Sequence, residues 1–119
     1  MRRAILIDDE AMASEVLDIL LREIGGVTIL GAFAQVSAAL EAVDELKPDL
    51  IFLDIEMPGI DGVKGAGLLR ERCPEASIVF VTAYQKYAQE GERPDIAGYL
   101  LKPVAKERLA ELLDRLARS

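Results

Sequence analysis

Asp8 and Asp9, Asp54, Thr82 and Lys102 each follow a short apolar run, and together they are the residue types from which a phosphate-handling site can be built. An ionised carboxylate only accepts hydrogen bonds, a threonine hydroxyl both donates and accepts, and a lysine ammonium is a flexible point charge. Three carboxylates drawn together repel one another unless a cation sits among them. Mg2+ suits such a place, because it takes one or two carboxylates, keeps several waters and leaves a position for a phosphate oxygen. In that setting Asp54 can act as a nucleophile toward phosphorus. Mg2+ and Lys102 would offset the charge on the transferred group, and Thr82 would donate to one of its oxygens.

Taken singly these signals are ordinary. Asp-Asp after a strand is usually a helix cap or a solvated turn, one Asp after an apolar run is a turn former, Lys-Pro is a loop, and a strand-end Thr bonds to backbone. Their weight comes from occurring together at successive strand ends.

Those strands and the helices between them are legible from periodicity. Residues 3 to 7 read as a buried strand stopping at Asp8, and Met12, Val16, Ile19, Leu20 and Ile24 recur at helical spacing before Gly25-Gly26. Val27 to Phe33 is a second strand and Ser37 to Leu46 a second helix, ended by Pro48. Leu50 to Leu53 is a third strand, and Met57 to Gly62 is turn chemistry. Val63 to Arg72 can form a helix despite Gly65 and Gly67. Ile78 to Val81 and Gly98 to Leu101 are strands, and Ala105 to Arg118 is a final amphipathic helix with Leu109, Leu112, Leu113 and Leu116 inside. Strands that are apolar throughout, alternating with helices, indicate an α/β domain with a parallel sheet covered on both faces. In such doubly wound sheets ligands bind at the carboxyl ends of the strands, so the reactive residues should converge.

The bulk numbers fit one domain over residues 1 to 119 and remove several chemistries. With no histidine, Ser-His-Asp and Cys-His catalysis and His-containing zinc sites are excluded, and the chain cannot carry a phosphohistidine. A net charge of -7 without clustered Lys and Arg argues against direct nucleic-acid binding. No apolar run is long enough for a signal peptide or a membrane span, so a cytoplasmic location is expected. The lone Cys73 reads as an incidental loop or edge residue rather than a redox switch.

The segments Ile5 to Glu10 (ILIDDE), Leu50 to Gly62 (LIFLDIEMPGIDG), Val79 to Tyr84 (VFVTAY) and Gly98 to Pro103 (GYLLKP) resemble the receiver domains of bacterial two-component response regulators. The wording is most similar to receivers attached to LytTR-type or similar transcriptional output domains. The similarity implies a flavodoxin-like strand order 2-1-3-4-5 with Asp54 as phosphoacceptor. It also implies Asp9 as a direct Mg2+ ligand, Asp8 assisting through water, and the Glu56 backbone carbonyl as a further ligand. Thr82 and Lys102 are placed on the phosphoryl group by the same likeness, and Lys102-Pro103 is expected to be cis. A sensor histidine kinase or phosphotransfer protein is the expected donor. Thr82 and Tyr99 would act as the switch, altering the face made by the helix after strand four, strand five and the final helix. The output is expected to be transcription through a C-terminal domain, this chain being an N-terminal fragment; a stand-alone regulator acting by contacts is the alternative.

One segment departs from the family wording. Gly91 and Pro94 disfavour a long helix after strand four, since they cost about 1 and about 3 kcal/mol relative to Ala inside one. A short helical turn near Tyr84 to Gln89 followed by an irregular loop is therefore expected, which bears on whether the family's homodimer forms there. A haloacid dehalogenase-type phosphatase would use Glu56 as a second acid, but its nucleophile lies near the first strand and the rest of its motif spacing is missing. A pseudo-receiver would keep the fold without the chemistry, which the five filled positions speak against.

Overall fold

The computed structural model describes residues 2–84 and 96–118. Nine elements are described: β1 (Arg2–Ile7), α1 (Ala11–Ile24), β2 (Val27–Phe33), α2 (Val36–Leu46), β3 (Leu50–Asp54), α3 (Gly62–Arg72), β4 (Ser77–Thr82), β5 (Gly98–Leu101) and α4 (Lys106–Ala117). The strands form one five-stranded sheet in the order β2-β1-β3-β4-β5. Every pairing is parallel. The segment expected to hold a short helical turn and a loop, including Gly91 and Pro94, lies outside the described residues apart from Tyr84.

Alternation along the strands explains why helices cover both faces. Ile5, Ile7, Ile51, Leu53, Ile78 and Phe80 point to one side, where Val36, Ala39 and Val43 of α2 and Ala66 and Leu69 of α3 meet them. Ala4, Leu6, Leu50, Phe52, Val79 and Val81 point to the other, against Leu17 and Leu21 of α1 and Leu109, Leu112, Leu113 and Leu116 of α4. Both faces being buried, the strands need no polar positions. The four leucines of α4 are those its periodicity singled out.

In α1 the apolar spacing does not mark the buried face. Met12, Val16 and Ile19 are exposed, whereas Leu17 and Leu21 are buried. Leu20 and Ile24 pack at the edge of the core. The helix carries apolar residues around most of its circumference, so spacing alone cannot choose the stripe; contact with the sheet does.

Two glycines let neighbouring elements approach the site. At Gly62 a Cβ would overlap the Asp54 carbonyl and the Ile55 backbone, and the Gly62 N–H donates to the Ile55 carbonyl at 2.9 Å. The start of α3 is thereby laid directly under the end of β3, with Asp61 as its cap, accepting from the Lys64 N–H at 2.9 Å. At Gly65 a Cβ would come within 2.7 Å of Val36, so close α2–α3 packing rather than helix propensity selects that residue. Among the described residues no helix is long and apolar enough to cross a membrane.

Candidate functional site

The carboxyl ends of β1, β3, β4 and β5 bring the expected residues to one edge of the sheet. Asp54 ends β3 beside Val81 of β4 and is 3% exposed. Its Oδ1 accepts from the Glu56 N–H at 3.2 Å. Asp8 follows β1, and its N–H donates to the Phe33 carbonyl of β2 at 2.9 Å. Its Oδ1 accepts from the Glu10 N–H at 2.9 Å, which turns the side chain back under the start of α1. Thr82 is fully buried at the end of β4, and its Oγ1 accepts from the Tyr84 N–H at 3.0 Å. The Lys102 N–H donates to the Thr82 carbonyl at 2.8 Å, anchoring the backbone of that lysine where β5 ends. The Lys102–Pro103 peptide bond is cis.

Lys102 is the hub. Its Nζ lies 2.8 Å from Asp8 Oδ2, 2.9 Å from Glu10 Oε1 and 3.5 Å from Asp54 Oδ2. One oxygen from each of Asp8, Glu10 and Asp54 falls within a 4.8 Å cluster. Oxygen-only donors this close suit a hard divalent cation, and the single ammonium leaves the group net negative.

These charges act on the acidity of the groups that carry them. Burial pushes the Asp54 carboxyl up from 3.8 to about 7, helped by the neighbouring Asp8 charge; Lys102 and the Glu56 N–H pull the other way. Burial works against the Lys102 ammonium, but hydrogen bonds to Asp8 and Glu10 and the charges of Asp54 and Asp8 outweigh it. The lysine therefore holds its proton more tightly than usual.

The remaining expected residues sit less centrally. Asp9 is exposed and lines a hollow with Asp8, Glu15 and Asp18, and its carboxylate is not in the cluster formed by Asp8, Glu10 and Asp54. Consecutive residues leaving a strand diverge, and the bond from Glu10 fixes Asp8 as the inward one. Glu56 is exposed, its N–H engaged by Asp54. Tyr99 is half-buried on β5 with its ring tilted against Phe80, centroids 5.7 Å apart. Glu10 carries no signal in the sequence beyond its place directly after the double aspartate. Beside the cluster a cavity of about 380 Å³ opens, lined by Met12, Val16, Phe52, Lys102, Pro103 and Val104 among others.

Comparison with known proteins bears on the family and the fold. The family model of the response regulator receiver domain matches residues 4–114. An uncharacterized response regulatory protein of Vibrio cholerae is 44% identical over 119 residues, covering 99% of this chain and 49% of that protein. The transcriptional regulatory protein BtsR of Salmonella typhimurium is 41% identical over 117 residues, covering 98% of this chain and 48% of that protein. Among solved structures, the response regulatory domain of mrkE from Klebsiella pneumoniae superposes with a TM-score of 0.85 at 31% identity, covering 98% of this chain and 95% of that one. The chain spans about half the length of the curated relatives it matches.

Proposed function

The chain belongs to the response regulator receiver domains, and on that premise we propose that Asp54 accepts a phosphoryl group, with Mg2+, from a histidine kinase or a phosphotransfer protein. The observation that carries this reading is the crowding of Asp8, Glu10 and Asp54 around Lys102 at the ends of β1, β3 and β5. Structural pairing alone would be met by one carboxylate per ammonium; three at one edge, two of them buried, are a site short of positive charge.

Asp54 must be ionised to attack phosphorus, and burial beside Asp8 works against that near neutral pH. A Mg2+ held by Asp54, Asp9 and the Glu56 carbonyl, with Asp8 assisting through water as the family resemblance implies, would supply the missing positive charge. Lys102 then faces the transferred group with a firmly held proton, so it acts as a charge and not as an acid. Thr82 accepts from the Tyr84 N–H, and a hydroxyl that accepts one bond retains a proton to donate to a phosphoryl oxygen.

Drawing Thr82 toward the new anion is proposed to shift the half-buried Tyr99 and, with it, the face containing β5 and α4. Tyr84 and Leu101, both exposed next to Thr82 and Tyr99, lie where such a shift would be felt. The chain contains no histidine, which accords with a donor on another protein. The apolar cavity beside Lys102, with exposed Met12 and Val16 on its rim, offers that donor a contact surface. Transcription is the proposed output, through a further domain of the regulator; stand-alone action by protein contacts in the cytoplasm, or through a homodimer, is the alternative. Turnover is confined to slow self-phosphorylation and auto-dephosphorylation.

The test is incubation with Mg2+ and acetyl phosphate followed by intact-protein mass spectrometry. The expected result is a single phosphoryl addition on wild type, none after chelation, and none on Asp54→Asn. No addition on wild type, or equal addition on the variant, contradicts the reading.

A further inference from the structure

We propose that Glu10 is a positioning residue that competes with the phosphoryl group for the Lys102 ammonium, and so sets how tightly the phosphorylated state is held. The proposal rests on reading Asp54 as the phosphoacceptor.

The ammonium does not sit centrally among its three carboxylates. It is within hydrogen-bond distance of Asp8 and Glu10, at 2.8 and 2.9 Å, and 3.5 Å from Asp54, the residue it would have to serve. The lysine is held back toward the start of α1.

Glu10 is an unusual residue for its position. It occupies the N-cap of α1, where Ser, Thr, Asp or Asn would bond to the helix N–H groups, and its side chain makes no such bond. Its backbone is fixed on both sides: the N–H donates to Asp8, and the carbonyl accepts from the Ala13 and Ser14 N–H groups at 3.1 and 3.3 Å. The longer Glu side chain is free to swing over the site, and it ends on Lys102. Capping of the helix is forgone for a contact that spans the molecule from the end of β1 to the end of β5.

The two close partners of the lysine differ in how readily they release it. The Asp8 side chain is 9% exposed, and leaving it without a counter-charge would be expensive; the Glu10 side chain is 67% exposed and water can replace the ammonium at once. Asp8 and Asp54 are also the carboxylates a divalent cation would claim. Among the described residues Glu10 is then the lysine's remaining carboxylate partner until a phosphoryl group, carrying close to two negative charges, arrives on Asp54. The contact with Glu10 is one that the phosphorylated state has to give up, so it weighs against that state.

The experiment uses the whole chain and beryllofluoride as the phosphoryl mimic, titrated in Mg2+ buffer and followed by amide NMR shifts, with Mg2+ titrated alone as a second measurement. Glu10→Gln removes the tether and its charge, while Glu10→Asp keeps the charge but shortens the reach. Both variants are expected to bind beryllofluoride about two- to fivefold more tightly than wild type, the scale of an exposed ion pair. In both variants the gain in beryllofluoride affinity should exceed any change in affinity for Mg2+ alone. Unchanged or weaker beryllofluoride binding in both variants overturns the proposal. Tightening in Glu10→Gln alone also overturns it, because general charge removal would then suffice. A marked loss of Mg2+ affinity would make Glu10 a metal ligand, and the tether would fall. Wild type binding no beryllofluoride at all defeats the phosphoacceptor reading itself, a separate and recognisable result.

Discussion

The strand ends on the β1–β3 side and those on the β4–β5 side of the same sheet edge are built to different standards. Asp8 and Asp54 are 9% and 3% exposed, with each carboxylate engaged by backbone N–H groups and by Lys102. Across the edge, Tyr84 and Leu101 are 51% and 40% exposed, and Tyr99 is only half covered by Phe80 and its neighbours. The first side holds its carboxylates in fixed positions; the second, apart from Lys102, leaves apolar and aromatic groups at the surface, where a small displacement changes what a partner meets. Thr82, buried yet bonded to the Tyr84 N–H, joins the two. A switch needs both kinds of region: one that does not yield when charge arrives and one that does.

Substitutions that act on one side only should separate the two roles. The largest effect is expected from Lys102→Ala, which removes the one positive charge that faces Asp54 among the described residues. Phosphorylation by acetyl phosphate should slow by about 100-fold, the usual loss when a charge-stabilising group is deleted from a site, as read by initial rates. A rate within a few-fold of wild type would mean that the lysine belongs to the readout side instead.

Next in size is a stability effect confined to the acid side. Below its ordinary value of 3.8 the Asp54 carboxyl is protonated in both folded and unfolded chains; between there and about 7 the unfolded chain releases its proton while the folded chain keeps it. Stability in metal-free buffer should therefore fall as pH rises through that window, and Asp54→Asn, which does not titrate, should be spared. The variant should be more stable than wild type by about 2 kcal/mol at pH 8, with the gap closing toward pH 4, by thermal melts across the range. Added Mg2+ should close it at pH 8 as well.

The smallest effect should come from the readout side. Tyr99→Leu gives up the ring contact with Phe80 and should cost about 1 kcal/mol in a denaturant melt. Its phosphorylation rate should stay within about twofold of wild type, since no charge at the acid edge has changed. A large rate loss would merge the two regions into one.

The same contrast governs what could be read from the sequence. The β strands were legible because runs such as Leu50–Leu53 are apolar on both faces, and the acid edge because the first and third runs stop abruptly at aspartates. Buried α4 leucines announced themselves by their spacing against a charged background. In α1 they did not: Met12, Val16 and Ile19 mimic a core stripe, and only contact with the sheet selects Leu17 and Leu21. The part of Glu10 was also hidden, because its effect depends on a side chain 92 residues away at the end of a different strand. Nor does a double aspartate reveal which member turns inward; the hydrogen bond from Glu10 to Asp8 decides it.

The central claim is that Asp8 and Asp54 crowd closely enough to need a shared cation, and the titration of Asp54 tests it most directly. Carboxyl carbon NMR of the labelled chain should show Asp54 titrating near 7 without metal. With saturating Mg2+ the same resonance should stay ionised down into the ordinary carboxylate range. An Asp54 that titrates at its ordinary value in both buffers, indifferent to Mg2+, would contradict the account.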